Sequence, residues 1–167
     1  LADFKSASEA GADKREAMEL CVEKADQPSL AYQLAGSDSS ALTYLINLLA
    51  NRPEDRQLVE KCRADLFSLL QLQADDPNAS ADTIAALAQE YAARGNRPKA
   101  ISYYRKALAQ DYSRVEWHYQ LANLLAASGD LTGGMGEARI CLRIHPQMKE
   151  AETLLGTLSV QSTAPPG

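Results

Sequence analysis

The sequence predicts an all-helical chain built from consecutive helix pairs, and three observations carry that expectation. The composition, 46% hydrophobic and 23% charged with only 6% aromatic, suits amphipathic helices better than a sheet or an unfolded chain. A shift of thirty-four residues superimposes two segments, placing Leu87 on Leu121, Ala88 on Ala122, Tyr91 on Leu125, Gly95 on Gly129, Ala107 on Cys141, Leu108 on Leu142 and Tyr112 on Pro146. Within each copy, apolar residues recur at helical spacing in two runs separated by turn signals.

The elements follow in order. Residues 13–25 and 28–35 read as two helices, the second short, forming an N-terminal helical cap over 1–38. Residues 40–50 and 54–74 form the next pair, within 39–78, because Asn51-Arg52-Pro53 repeats the later Asn96-Arg97-Pro98 turn; Asp75-Asp76-Pro77-Asn78 ends it. This pair has a longer second helix. The first full repeat, 79–112, contains helices over 81–93 and 98–110. Ser80 is placed to cap the first, which also explains Asn78-Ala79-Ser80 better than a glycosylation acceptor does. Asn96 precedes a proline suited to a first helical turn. The second repeat, 113–146, contains helices over 115–127 and 131–144, with Ser113-x-x-Glu116 as a capping box. Gly95 and Gly129 supply left-handed turns after the first helix of each pair. A third, partial copy places Leu155 on Leu121 and Gly156 on Ala122, giving a closing helix within 147–160 built on Leu154, Leu155 and Leu158; residues 161–167 are expected to be a disordered tail.

These residues resemble the tetratricopeptide-repeat (TPR) family, whose helix-turn-helix unit alternates large and small residues where helices cross. Leu87, Ala88, Tyr91, Gly95, Ala100, Tyr104 and Ala107 match its pattern in the first repeat, and Leu121, Ala122, Leu125, Gly129, Gly134, Cys141 and Pro146 in the second. Small residues let helices approach closely while Leu and Tyr fill the neighbouring grooves. Two positions depart: His118 stands where Trp or Leu is favoured, and Ala138 where a large apolar residue is. The resemblance implies a right-handed superhelix of stacked antiparallel helix pairs.

It also implies a ligand-binding surface, because the first helices of TPR units line a concave face that holds peptides. Carried over, the lining is Asp82, Ala85, Gln89, Ala92 and Ala93, then Glu116, Tyr119, Asn123, Ala126 and Ala127, then Glu150 and Thr153. A TPR subset grips chaperone carboxylates through Lys and Asn, whereas Ala85, Gln89, Gln120 and Glu150 occupy those positions here. The expected partner is therefore a neutral or basic polypeptide, with Gln89 and Asn123 bonding its backbone and Tyr119 packing against a side chain. Two alternatives stay open: Tyr119 packs within the stack, and the acids merely favour helix N-termini.

Other classes find less support. The net charge of −5 opposes general affinity for nucleic acid, and the first helices lack a basic stripe. The charge is uneven: residues 1–80 carry fourteen acidic against eight basic residues, and 81–167 eight against nine. No apolar run approaches the ~18 residues a membrane helix needs, so no direct membrane insertion is expected. Cys21, Cys62 and Cys141 are scattered and odd in number, reading as buried hydrophobes, not as a disulfide set or metal site. No G-x-S-x-G, H-E-x-x-H or phosphate-loop motif occurs, so neither catalysis nor a cofactor is expected.

Trp117, His118 and Tyr119 diverge by ~100° per residue and share no face; Trp117 is expected in the core and His118 at a helix crossing. Thr132-Gly133-Gly134-Met135-Gly136 is unusual in a helix start: Gly134 has a crossing role, while Gly133 and Gly136 imply either a loose start or close approach of a neighbour. The leading expectation is a non-catalytic scaffold. Its alternatives are self-association, including a homodimer, and an accessory domain of a larger enzyme or membrane-associated assembly. The start at Leu1 and absence of a signal pattern suggest an excised or processed chain.

Overall fold

The computed structural model describes residues 14–163, all-α with no strand among them. The chain forms two compact units, one up to residue 72 and one from residue 73. The expected N-terminal cap includes residues 1–13, which lie outside those described.

In the first unit, α1 (Lys14–Glu19) continues through a π-helical turn, Leu20–Lys24, and is followed by α2 (Pro28–Ala35) and α3 (Ser39–Leu48). Met18, Cys21, Val22, Leu42 and Leu45 are buried in this unit. Asp38 caps α3 by accepting from the Ser40 and Ala41 amides, each at 3.0 Å. The turn before α4 (Arg56–Ala74) is a 3-10 turn, Pro53–Asp55. There the likeness of Asn51-Arg52-Pro53 to Asn96-Arg97-Pro98 ends. Arg52 occupies the cap position without a side-chain cap bond, and its guanidinium instead meets Asp55 at 2.6 Å and Asp26 at 2.5 Å. Asp26 itself has a positive φ of 50°, uncommon outside glycine and tolerated best by Asn and Asp.

In the second unit, α5 (Ala81–Ala93), α6 (Arg97–Gln110), α7 (Val115–Ala127), α8 (Leu131–Ile144) and α9 (Lys149–Thr163) pack each against the next. The bounds of α5, α7 and α8 are those expected. α9 runs to Thr163, three residues into the stretch expected to be disordered; 164–167 lie outside the described residues. Ser80 accepts from the Thr83 amide at 3.1 Å and Asn96 from the Lys99 amide at 3.3 Å. Gly95 and Gly129 have φ of 74° and 87°, a region open to glycine without steric cost. The Ser113 capping box does not form. Arg114 occupies the cap position of α7 without a side-chain cap bond, because Ser113 is drawn back to Asp111 Oδ1, 2.7 Å from its hydroxyl.

The small residues sit where the repeat needs them: Ala88, Ala100, Ala107, Ala122, Ala138 and Cys141 are fully buried beside Ile84, Leu87 and Leu121. Each large apolar side chain so buried contributes about 1.5–3 kcal/mol. A Cβ on Gly134 would lie 3.0 Å from the Ala122 carbonyl and 3.1 Å from Leu158 Cδ1, whereas one on Gly136 meets nothing within 4 Å. Close approach therefore accounts for Gly134 and not for Gly136. Gly133 faces only the carboxylate of Asp130, the α8 cap that accepts from its amide at 2.8 Å.

Of the two departures, Ala138 is fully buried and His118 forms a polar lock. His118 is 1% exposed, with Nδ1 2.6 Å from Glu137 Oε2 and Nε2 3.0 Å from the Tyr112 carbonyl. A carbonyl only accepts, so Nε2 donates to Tyr112. Trp117 is partly buried against the core around Ile84 and Leu121, as expected, with the Arg114 guanidinium 4.9 Å above its ring.

Candidate functional site

The first helices of the second unit are α5, α7 and α9, and the structure brings part of the expected lining together. Tyr119, Lys149, Glu150, Thr153, Leu154 and Thr157 enclose a cleft of about 440 Å³ between α7 and α9. Tyr119 and Thr153 stand thirty-four residues apart, at the same repeat position. Tyr119 is half-buried and lines the cleft. The cleft can accept an apolar or aromatic side chain against Tyr119 and Leu154, with the hydroxyls of Thr153 and Thr157 at its wall and charges of both signs at its rim. Both hydroxyls presently donate along α9, to the Lys149 and Thr153 carbonyls at 2.8 and 2.9 Å.

The remaining expected residues divide by exposure. Gln89, Glu116 and Glu150 are exposed, whereas Ala85 is 5% exposed and belongs to the core with Ile84 and Ala88. It offers a ligand no surface. Ala92 and Ala126 are half-buried, and Ala93 and Ala127 are exposed at the helix ends. Asn123 Nδ2 already donates to the Tyr119 carbonyl at 2.9 Å, so a ligand recruiting that donor must compete with its own helix.

Asp82 is also engaged. Arg114 Nη2 reaches both of its carboxylate oxygens, at 2.9 and 3.1 Å, while Arg114 Nε holds Asp111 at 2.8 Å. Hydrogen bonds from Ser113 and then Arg114 hold the Asp111 carboxyl below the usual carboxylate range. Asp111 and then Asp82 push the Arg114 guanidinium upward. This clamp joins one repeat to the next and quenches one of the acids assigned to the ligand. The sequence signal was available: a basic residue at the junction of two repeats, thirty-two positions after an acid in the first turn of a first helix.

The cysteines are free and buried. Burial pushes the Cys141 thiol up to about 11, with Glu137 adding to the effect, and burial likewise raises Cys21 and Cys62; a raised thiol pKa lowers nucleophilicity near neutral pH. Among the described residues no group of His, Cys, Asp or Glu is arranged to hold a metal ion, and no helix is long and apolar enough to cross a membrane.

No family model matches the sequence, and no curated protein matches it. Solved structures do resemble the fold. MamA matches with a TM-score of 0.67 at 12% identity, over 97% of this chain and 84% of that one. YrrB, described as a TPR protein with an unusual peptide-binding site, matches with a TM-score of 0.59 at 15% identity, over 95% of this chain and 83% of that one. The fold is that of a TPR protein. The Yersinia enterocolitica type III secretion chaperone SycD, crystallised with a peptide of the translocator YopD, matches with a TM-score of 0.56 at 14% identity, over 76% of this chain and 98% of that one. At identities this low the likeness shows the TPR fold alone.

Proposed function

We propose that the protein is a non-catalytic interaction module whose TPR first-helix face, formed by α5, α7 and α9, binds a neutral or basic polypeptide segment. The observation that carries this reading is the cleft between α7 and α9. It combines an accessible aromatic ring, an apolar floor at Leu154 and the exposed Glu150 carboxylate in one concavity. Glu116, exposed on α7, adds negative charge to the same helix set, while Asp82 is largely satisfied by Arg114. SycD and YrrB, each described with a peptide or a peptide-binding site, lend the reading support by analogy of fold.

The test is a peptide-array screen with the intact chain, followed by titration of the best neutral or basic peptide against Tyr119→Ala. An aromatic anchor at the centre of such a site contributes roughly 1–3 kcal/mol, so affinity should fall by about 5- to 150-fold. Unchanged affinity, with the fold retained by circular dichroism, removes the cleft as the site.

A further inference from the structure

The second helices of the TPR unit carry charge opposite in sign to the first. α5, α7 and α9 hold Asp82, Glu90, Glu116, Glu150 and Glu152 against Lys149 alone. α6 and α8 hold Arg97, Lys99, Arg105, Lys106, Arg139 and Arg143 against Glu137 alone, and that carboxylate is turned onto His118. All six cations are exposed. Arg105 and Arg139 are thirty-four residues apart, so the repeat places them at the same station on successive second helices.

Half of these cations have local partners: Lys106 reaches the Ala74 carbonyl at 3.3 Å, Lys99 lies 4.9 Å over the Tyr91 ring, and Arg143 donates to the Tyr112 hydroxyl at 3.2 Å. Arg97, Arg105 and Arg139 make no ion pair among the described residues. Beside Arg143 the surface offers Tyr112, 54% exposed, and Ile144, 39% exposed. Arg and Tyr together are the side chains most often responsible for affinity at protein interfaces.

We propose that this second-helix face docks an acidic polypeptide segment, which makes the unit a bridge between two partners of opposite charge. Charge complementarity sets the sign of the occupant, and the exposed Tyr112 and Ile144 beside Arg143 set its kind, because arginine and aromatic anchors together mark a protein interface. A short acidic segment confined to α6 and α8 feels chiefly the local cations.

The experiment titrates the intact chain with a fluorescent Glu/Ala peptide at low salt, in parallel with phosphatidylserine vesicles and a single-stranded oligonucleotide. The wild type should bind the peptide in preference to both. Arg105→Glu with Arg139→Glu should lower peptide affinity by roughly tenfold or more, Arg105→Lys with Arg139→Lys should largely retain it, and Tyr119→Ala should leave it unchanged. Circular dichroism checks the fold, and Arg139→Glu alone replaces the double variant if that one does not fold. The proposal is overturned by absence of peptide binding, by equal binding of the charge-reversed variant, or by tighter binding to vesicles or oligonucleotide. Light scattering showing that the same arginines drive self-association would assign the face to a second copy and overturn it equally.

Discussion

Two glycines in α8 give a paired test of the repeat's packing. Replacing either by Ala removes the backbone-entropy penalty of a helical glycine, about 1 kcal/mol. Gly136→Ala adds a methyl where nothing lies within 4 Å, so that gain should appear in full and raise the melting temperature by roughly 2–4 °C. At Gly134 the same methyl falls 3.0 Å from the Ala122 carbonyl, 3.1 Å from Leu158 Cδ1 and 3.4 Å from Ala126 Cβ. Leu158 can rotate away, but a backbone carbonyl in α7 cannot, and overpacking of this kind costs about 1–3 kcal/mol. The opposing effects leave Gly134→Ala between neutral and about 2 kcal/mol less stable than wild type. Thermal and urea melts of both variants, followed by circular dichroism, measure the difference. If Gly134→Ala melts above Gly136→Ala, α7 and α8 do not cross where the repeat register places them.

The polar lock makes a second prediction: His118→Leu removes the partner of the part-buried Glu137 carboxylate and should cost about 1–3 kcal/mol, while adding Glu137→Leu should recover much of it, because replacing both partners of a hydrogen bond by apolar groups can be nearly neutral; a double variant no more stable than the single one contradicts the pairing. Ser80→Ala should cost about 1 kcal/mol through loss of a cap, and Ser113→Ala should stay within about 0.5 kcal/mol; equal losses in urea melts would restore the capping box at 113–116. Asp38 adds a pH signature, since hydrogen bonds from Ala41 and Lys14 hold its carboxyl below the ordinary value. Its contribution to stability is thus complete above about pH 4 and is lost as pH falls through the depressed native value. Asp38→Ala should therefore lose stability at neutral pH and show a shallower acid decline, and an acid melt parallel to wild type argues against the cap.

The repeat was legible because most of the helical positions that define it are buried. Leu87, Ala88, Ala107, Leu121, Ala122 and Cys141 carry the thirty-four-residue pattern and all lie inside, so helix bounds from α5 to α8 followed from sequence to within a residue. What escaped depends on side chains that the pattern does not constrain. Ser113 could accept from a helix amide or donate to Asp111, and it donates to Asp111. The position of Ala85 was assigned to a lining that its own small side chain cannot reach, because neighbours close over it. Arg114 and Asp82 meet across a repeat junction, where periodicity describes the backbone but not the choice of ion pairs. Of the assigned surface, Tyr119, Glu150 and Thr153 meet in one cleft, since residues one repeat apart on successive first helices are neighbours by construction. The basic character of α6 and α8 was visible only as a charge imbalance between the halves of the chain, until the helices were sorted by face.

The proposed cleft exists only where α7 and α9 lie side by side as first helices of successive TPR units. Tyr119→Cys with Thr153→Cys places thiols on opposite walls of the proposed cleft, against a background in which the three native cysteines are buried. Tyr119→Cys with Arg139→Cys places them on a first-helix and a second-helix face. Mass spectrometry after treatment with a short bismaleimide reagent should show an intramolecular cross-link in the first variant and little in the second. A cross-link between 119 and 139 that forms as fast as one between 119 and 153, or none at 119 and 153 in a folded chain, would contradict the stacked arrangement.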